Sequence, residues 1–380
     1  MNHPSLRDAQ RGLTLIELMI SIAIGLVVVG AVTYLYVGTH GVYRGNEGLA
    51  RIQEAGRFAL DAITRDIRRA GALGCGSTLS VASGKPVQIN GAPAGLAVDQ
   101  TTEIAGYLVP ATTPPPLTTS PANWTLPTGP GVIPAYWGGD VLQLQIGNGA
   151  PVRVTANPDL AAGTISIAGN AMPDDASVKN FKNGDYAVLA NCSAAAIIRV
   201  SSTPAVTRTS TALPFALAGG TIPVLSPPGT PAFSVDTYPT LQHFDQITYY
   251  IGIIPGTAAT APPGRPALYR YSPVTGAEEL VENIEDMDVV YGIGGGTGAP
   301  VAITAFEHAD TARANGDWAK VASIRVSLMA VGDQQGVAPP NQILLFRDTG
   351  ASLTPAPWTA PDTRLRQVFT ATAAVRDRIQ

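Results

Sequence analysis

Charge is scarce in this chain of 380 residues: only 14% are Asp, Glu, Lys or Arg, against about a quarter in ordinary globular proteins. The 24 basic and 28 acidic residues leave a net charge of −4, which gives no electrostatic case for a nucleic-acid partner. Histidine is confined to His3, His40, His243 and His308, and no His/Cys spacing suggests a metal site. No Gly-x-Ser-x-Gly elbow is present. The glycine-rich stretch 294–298 follows a strand-like run, as a phosphate loop would. Ala299, Pro300 and Val301 then continue as strand rather than helix, so a hairpin turn is expected there. His243 with Asp245 and His308 with Asp310 read as surface pairs in loops. Neither an enzyme nor a cofactor is therefore expected. Cysteine is nearly absent too. Cys75 and Cys192 would be free thiols in a reducing compartment or one disulfide in an oxidising one.

What the chain does have is glycine (40) and proline (32), about a fifth of all residues, so many turns and few long helices are expected after the first segment. A hydrophobic content of 45% permits a sizeable core and argues against full-length disorder. The apolar residues are concentrated at one end. Residues 1–12 are polar, with Arg7, Asp8 and Arg11; residues 13–37 are almost wholly apolar, with Glu17 as the single charge. The uncharged stretch from Leu18 to Thr39 can cross ~30 Å of hydrocarbon at ~1.5 Å per residue. Basic residues precede it and no further span follows, which places the remainder outside the cytoplasm. An ordinary signal peptide has a shorter apolar run and no carboxylate near its start. A lipoprotein signal needs a cysteine at the end of the run. A plain anchor leaves Glu17 without a reason, although a carboxylate within a span costs roughly 2.5–3.5 kcal/mol near the bilayer centre.

The segment Gly12-Leu13-Thr14-Leu15-Ile16-Glu17 resembles the type IV prepilin processing site. That resemblance implies cleavage between Gly12 and Leu13 by a prepilin peptidase and methylation of the new amino terminus at Leu13. It also implies a role for Glu17 in assembly. The freed amine of one subunit and the Glu17 carboxylate of a neighbour can each offset the other's desolvation. The family usually has Phe where Leu13 stands, and Leu keeps that position apolar.

The helix is expected to run on from Leu13 to Ala70, ~87 Å at ~1.5 Å per residue. Residues 47–70 form an amphipathic half: no proline interrupts Glu47 to Arg69, and Ile52, Ala55, Ala59, Ile63, Ile67 and Ala70 recur at helical spacing. Opposite charges four apart, Glu47–Arg51, Arg57–Asp61 and Asp61–Arg65, add a few tenths of a kcal/mol each, and Gly71 and Gly74 are stop signals. Residues 71–380 read as a β-rich head, with strand-like runs between Gly/Pro-rich turns. Pro-rich stretches near 110–134 and 204–239 are expected to be loops or insertions rather than core. The run Glu278, Glu279, Glu282, Glu285, Asp286, Asp288 could bind Ca²⁺, but a solvated strand edge that resists aggregation is the preferred reading.

Residues 54–75 resemble the stretch after the membrane segment in PilW-type minor pilins. Residues 183–200 resemble the second-cysteine segment of those proteins, and several later stretches share the likeness, more distantly with minor pseudopilins of type II secretion. The resemblance implies an α+β fold, a long N-terminal helix packed on a mainly antiparallel β-rich head. It also implies a single-pass inner-membrane protein with a periplasmic head that later enters the pilus. As a low-abundance subunit it would join other minor pilins and the major pilin in a priming complex supporting adhesion and twitching motility, with a tip adhesin as a candidate further partner. A type II secretion pseudopilin and a non-polymerising anchored binding protein are the alternatives. In a periplasmic head Cys75 and Cys192 can pair. The closed loop of over 100 residues would then contribute roughly 4–5 kcal/mol on chain-entropy arguments; two buried thiols are the alternative.

Overall fold

The computed structural model describes residues 14–73, 76–77, 88–90, 104–109, 120–158, 163–168, 181–191, 194–202, 205–206, 210–216, 239–254, 265–295, 302–349 and 354–375. The chain divides into two units, Met1–Arg51 and Ile52–Gln380. Helix α1 spans Leu15–Ile67.

Within the first unit the helix carries no charge from Leu18 to Thr39, and its most apolar stretch is not buried by protein. Hydroxyls inside this stretch are satisfied locally: Ser21 Oγ donates to the Glu17 carbonyl at 2.7 Å, Thr33 Oγ1 to that of Val29 at 2.8 Å and Thr39 Oγ1 to that of Leu35 at 2.9 Å. Each side chain therefore brings no orphan donor into an apolar medium, the condition hydrocarbon imposes on polar groups.

In the second unit the helix turns one stripe inward. Ile52, Ala59, Ile63, Ile67 and Ala70 are buried, spaced three, four and seven apart as an amphipathic face requires. Burying each isoleucine contributes about 1.5–3 kcal/mol. Gly71, at φ +80°, ends the segment in the left-handed conformation glycine adopts most readily, and its N–H donates to the Gln145 carbonyl at 3.0 Å.

The strands in chain order are β1 (Ala72–Leu73), β2 (Gly76–Ser77), β3 (Gln88–Asn90), β4 (Ile104–Tyr107), β5 (Ala135–Arg153), β6 (Thr164–Ala168), β7 (Tyr186–Ala190), β8 (Ala194–Val200), β9 (Ala205–Val206) and β10 (Ser210–Ala216). They continue as β11 (Thr240–Ile253), β12 (Ala267–Ser272), β13 (Gly276–Glu282), β14 (Ile284–Gly295), β15 (Ala302–His308), β16 (Val321–Val331), β17 (Ile343–Thr349), β18 (Thr354–Thr359) and β19 (Arg366–Ala374). A short helix α2 (Ala309–Asn315) separates β15 from β16. Among the described residues the pairing is antiparallel except where β3 meets β8.

The larger sheet runs β13-β12-β11-β7-β8-β10-β6, and β5 lies along the other side of β11 with β4 beyond it. A second sheet has the order β15-β14-β16-β19, and β17 and β18 form a ribbon. One core joins the helix stripe to Leu142, Leu144 and Ile146 of β5, Ile247, Tyr249 and Ile251 of β11, and Met287, Val289, Val326 and Leu328 of the second sheet. The alternation of β5 explains its place: Leu142, Leu144 and Ile146 share one face while Val141 packs in a separate cluster with Trp124 and Tyr250.

Two stretches expected to be loops differ. Within 204–239, Ser210–Ala216 pairs with β6 and β8 as a sheet strand. Within 110–134, Trp124 is buried against Tyr136 and Tyr250. In the second stretch the large ring of Trp124 outweighs the neighbouring prolines, because burial is decided by contacts the local pattern does not display. Gly294 and Gly295 lie in β14, which pairs antiparallel with β15, while residues 296–301, including Ala299, Pro300 and Val301, lie outside the described residues.

Candidate functional site

The N-terminal end of α1 is built around Thr14 and Glu17. The Thr14 hydroxyl accepts the Glu17 N–H at 3.3 Å and donates to Glu17 Oε2 at 3.4 Å. Thr-x-x-Glu is the spacing of a capping box, which satisfies helix N–H groups that have no partner in the first turn. The pattern stands in the sequence, so a local role for Glu17 could have been read beside its role in assembly. Both Thr14 and Glu17 are exposed, so the carboxylate is open to a partner outside this chain. Gly12, Leu13, Cys75 and Cys192 lie outside the described residues.

Where the helix enters the head, two contacts hold it. At Gly56 a Cβ would lie 2.3 Å from the Phe369 ring of β19, so only glycine admits the ring. One residue before the helix ends, Asp66 is buried. It accepts the Tyr249 hydroxyl at 2.7 Å and Arg270 Nε at 3.3 Å, and Arg69 donates to Asn148 Oδ1 at 2.6 Å. Burial and the adjacent Asp66 carboxylate push the Tyr249 hydroxyl far above the usual phenol range, so it remains a donor. Nothing in the local sequence separates Asp66 from the exposed Asp61.

The acidic run is divided by the fold. Glu278, Glu279 and Glu282 are exposed on edge strand β13. Glu285, Asp286 and Asp288 are buried, which overturns the solvated-edge reading for this half. They sit on the part of β14 that pairs with β16, and distant arginines meet them. Arg347 donates to Asp286 through Nη2 at 2.7 Å and Nε at 3.0 Å, and to the Val109 carbonyl through Nη1 at 3.0 Å. Arg366 donates to Glu285 through Nε at 2.6 Å. Arg347 occupies φ +57° at an irregularity between Phe346 and Asp348. A bulged residue can be re-aimed in this way, and here it points a guanidinium inward. Beside this pair Asp140 accepts the Val109 N–H at 2.8 Å and the Val289 N–H at 3.0 Å. Burial first, then the neighbouring Asp288, pushes the Asp140 carboxyl well above its usual range. Burial likewise raises Asp288 to about 7. Among the described residues no group of three or more His, Cys, Asp or Glu side chains could hold a metal ion. The chemistry of this centre is that of a cross-brace between β4, β5, β14 and β17.

The two histidine pairs also differ from expectation. His243 lies in β11, half-buried, with its ring stacked on Phe181 at 3.9 Å, and burial lowers its pKa. His308 ends β15 and is likewise lowered by burial. Asp245 accepts the Ser272 hydroxyl at 2.7 Å rather than pairing with His243. Successive residues along a strand face opposite sides, so His243 and Asp245 share a side, and their partners are Phe181, which precedes β7, and Ser272 at the end of β12.

Comparison with known proteins places these features. Residues 7–33 match the family model of the prokaryotic N-terminal methylation motif, and residues 248–377 match that of the type IV pilus-assembly protein W. No curated protein matches the chain. Among solved structures a type IV-like pilin from Thermus thermophilus is similar at 15% identity, over 36% of this chain and 67% of that one, with a TM-score of 0.22. The assignment therefore rests on the two sequence models and on the long apolar helix that precedes a largely antiparallel β head. With an N-terminal methylation motif over residues 7–33 and a region matching type IV pilus-assembly protein W over residues 248–377, the chain is similar to PilW-type type IV pilins, and its long N-terminal helix is apolar enough to anchor it in the inner membrane.

Proposed function

We propose that this pilin is a low-abundance structural subunit that helps to initiate the filament. In this reading the prepilin peptidase cleaves between Gly12 and Leu13 and methylates Leu13, and the helix is drawn from the inner membrane into the filament core. Other minor pilins and the major pilin join it in a tip complex, with a tip adhesin as a further partner, supporting adhesion and twitching motility. Cys75 and Cys192 are joined in the oxidising periplasm.

The observation that carries the proposal is the apolar helix with one acid at its start. Large side chains from Leu15 to Val37 are more than half exposed in the isolated chain, and Glu17 is the sole charge among them. Such a surface needs lipid or other apolar helices around it, and such an acid needs a cation. The bulk of the head adds support, since a repeating subunit must pack at short axial rise.

Mass spectrometry of the N-terminal peptide tests processing: a methylated Leu13 is expected, and an intact Met1 in cells with active peptidase defeats the proposal. Glu17→Lys is expected to abolish incorporation into sheared pili while leaving the protein in the membrane, and Glu17→Gln to weaken it. Normal piliation with Glu17→Lys would refute the amine–carboxylate pairing. Deletion is expected to reduce pili; loss of secreted enzymes with pili intact would assign the protein to a secretion system instead.

A further inference from the structure

We infer that the edge of β19 that has no strand partner among the described residues is a strand-addition site, at which an extended, uncharged segment of an adjacent pilin subunit pairs with the head. The occupant assigned here rests on the filament reading above; the edge itself does not.

Exposed sheet edges are normally blunted by charge, proline or bulges, because their unpaired N–H and C=O groups invite another chain. Three edges of this head follow that rule. Strand β13 carries Glu278, Glu279 and Glu282, β18 carries Pro355 and Pro357, and β15 has an irregular register against Ile293 and Gly294. Strand β19 has none of these devices. It pairs with β16 through nine consecutive residues without a register shift, and from Gln367 to Val375 it has no charge and no proline.

The direction of its backbone groups follows from two contacts. Val375 N–H donates inward to the Ala322 carbonyl at 2.9 Å. Arg366 faces outward, where the Gln342 side chain accepts its N–H at 3.2 Å and donates to its carbonyl at 3.0 Å. In an antiparallel strand the N–H and C=O of one residue point the same way and alternate along the chain. Val368, Thr370, Thr372 and Ala374 therefore present their N–H and C=O groups at the free edge, and Thr370, Thr372 and Ala374 are exposed.

The Gln342 amide acts as a stop that mimics one strand residue. Beyond it lies an open row of about 20 Å at ~3.4 Å per residue. Backbone donors and acceptors in that pattern are complementary to an extended chain. The small neutral side chains of Thr370, Thr372 and Ala374 offer an incoming charge no partner. The opposite face of β19 is already occupied, since Phe369 packs on Gly56, so the strand is fixed in place before any partner arrives.

The test uses the full-length chain in piliating cells, with the photo-crosslinker p-benzoylphenylalanine at position 372. A crosslink to another pilin chain is expected in sheared filaments. No interchain adduct, or one only within the chain itself, from protein recovered in filaments would overturn the inference. In parallel, Thr372→Pro removes an outward donor and sets a ring on the edge, and Thr372→Lys adds an edge charge while keeping the backbone. Thr372→Pro is expected to lower recovery in pili about tenfold, the effect of losing roughly one backbone hydrogen bond and its neighbours' fit, and Thr372→Lys to lower it by a similar factor through the charge it sets at the pairing edge. Their thermal melts in detergent should match the wild type. If Thr372→Pro fails to fold, Thr372→Lys carries the test, and wild-type recovery of a folded Thr372→Lys overturns the inference. Absence of the wild-type protein from filaments would defeat the filament reading instead. The crosslink formed in membranes then decides the edge: an adduct with another pilin-type chain supports it, and no such adduct overturns it.

Discussion

Replacing Arg347 by methionine removes a buried cation and leaves its partner in place. Arg347 is 5% exposed and Asp286 1% exposed at the side chain. Two hydrogen bonds join them and a third reaches the Val109 carbonyl. Methionine fills much of the volume but donates nothing, so the Asp286 carboxylate keeps only the Met287 N–H at 2.8 Å. Breaking one side of a buried ion pair costs about 3–5 kcal/mol, a large part of the ~5–15 kcal/mol that holds a domain folded. Relief of the positive φ at position 347 does not offset this, because methionine inherits the same backbone. Urea unfolding of the full chain in detergent micelles, followed by tryptophan fluorescence, would measure the loss. The double variant with Asp286→Asn should be destabilised less than the sum of the singles, by at least ~1.5 kcal/mol, as coupled neighbours are. Arg347→Met should also recover stability as the pH falls, because protonation neutralises the abandoned carboxylate. A loss below ~1 kcal/mol, or additivity in the cycle, would refute the brace.

Asp288→Asn tests the titration of the same centre. Burial raises the Asp288 carboxyl to about 7, above its ordinary ~3.9 in the unfolded chain, so the folded state binds this proton more tightly. Its contribution is fully present below pH ~4 and is lost as pH rises through ~7. The variant should flatten the fall in stability between about pH 4 and pH 7 in the same urea assay, and an unchanged slope would rule out this titration. Gly56→Val should destabilise the head by about 1–3 kcal/mol through overpacking against Phe369, and Phe369→Ala in the same chain should return part of that loss in thermal melts. Asp66→Ala should cost about 2–4 kcal/mol by leaving the Tyr249 hydroxyl and Arg270 without their acceptor, read by denaturation. A neutral result would show that the helix is held by its apolar stripe alone.

Legibility differed between the ends of the chain for physical reasons. The apolar helix, its single acid and the buried stripe from Ile52 to Ala70 are local patterns, and period and hydrophobicity suffice to read them. Most strands from Val141 to Ala374 were readable from alternation and turn residues, as β16 illustrates over Val321–Val331. The acidic run was misread in its second half because Glu282 and Glu285 look alike in sequence. Only the pairing of β14 with β16, and the arrival of Arg347 and Arg366 from other elements, separates them.

The amino-acid sequence by itself determined where the membrane helix lies, which acid it carries, and that a β-rich head follows, because these depend on hydrophobic content and short-range periodicity. The tertiary structure alone decided which carboxylates are buried, which glycine receives an aromatic ring, and which strand is left with an open edge. Those outcomes depend on which distant residues are brought together, and pairing between strands far apart in the chain is not encoded in any one stretch of it.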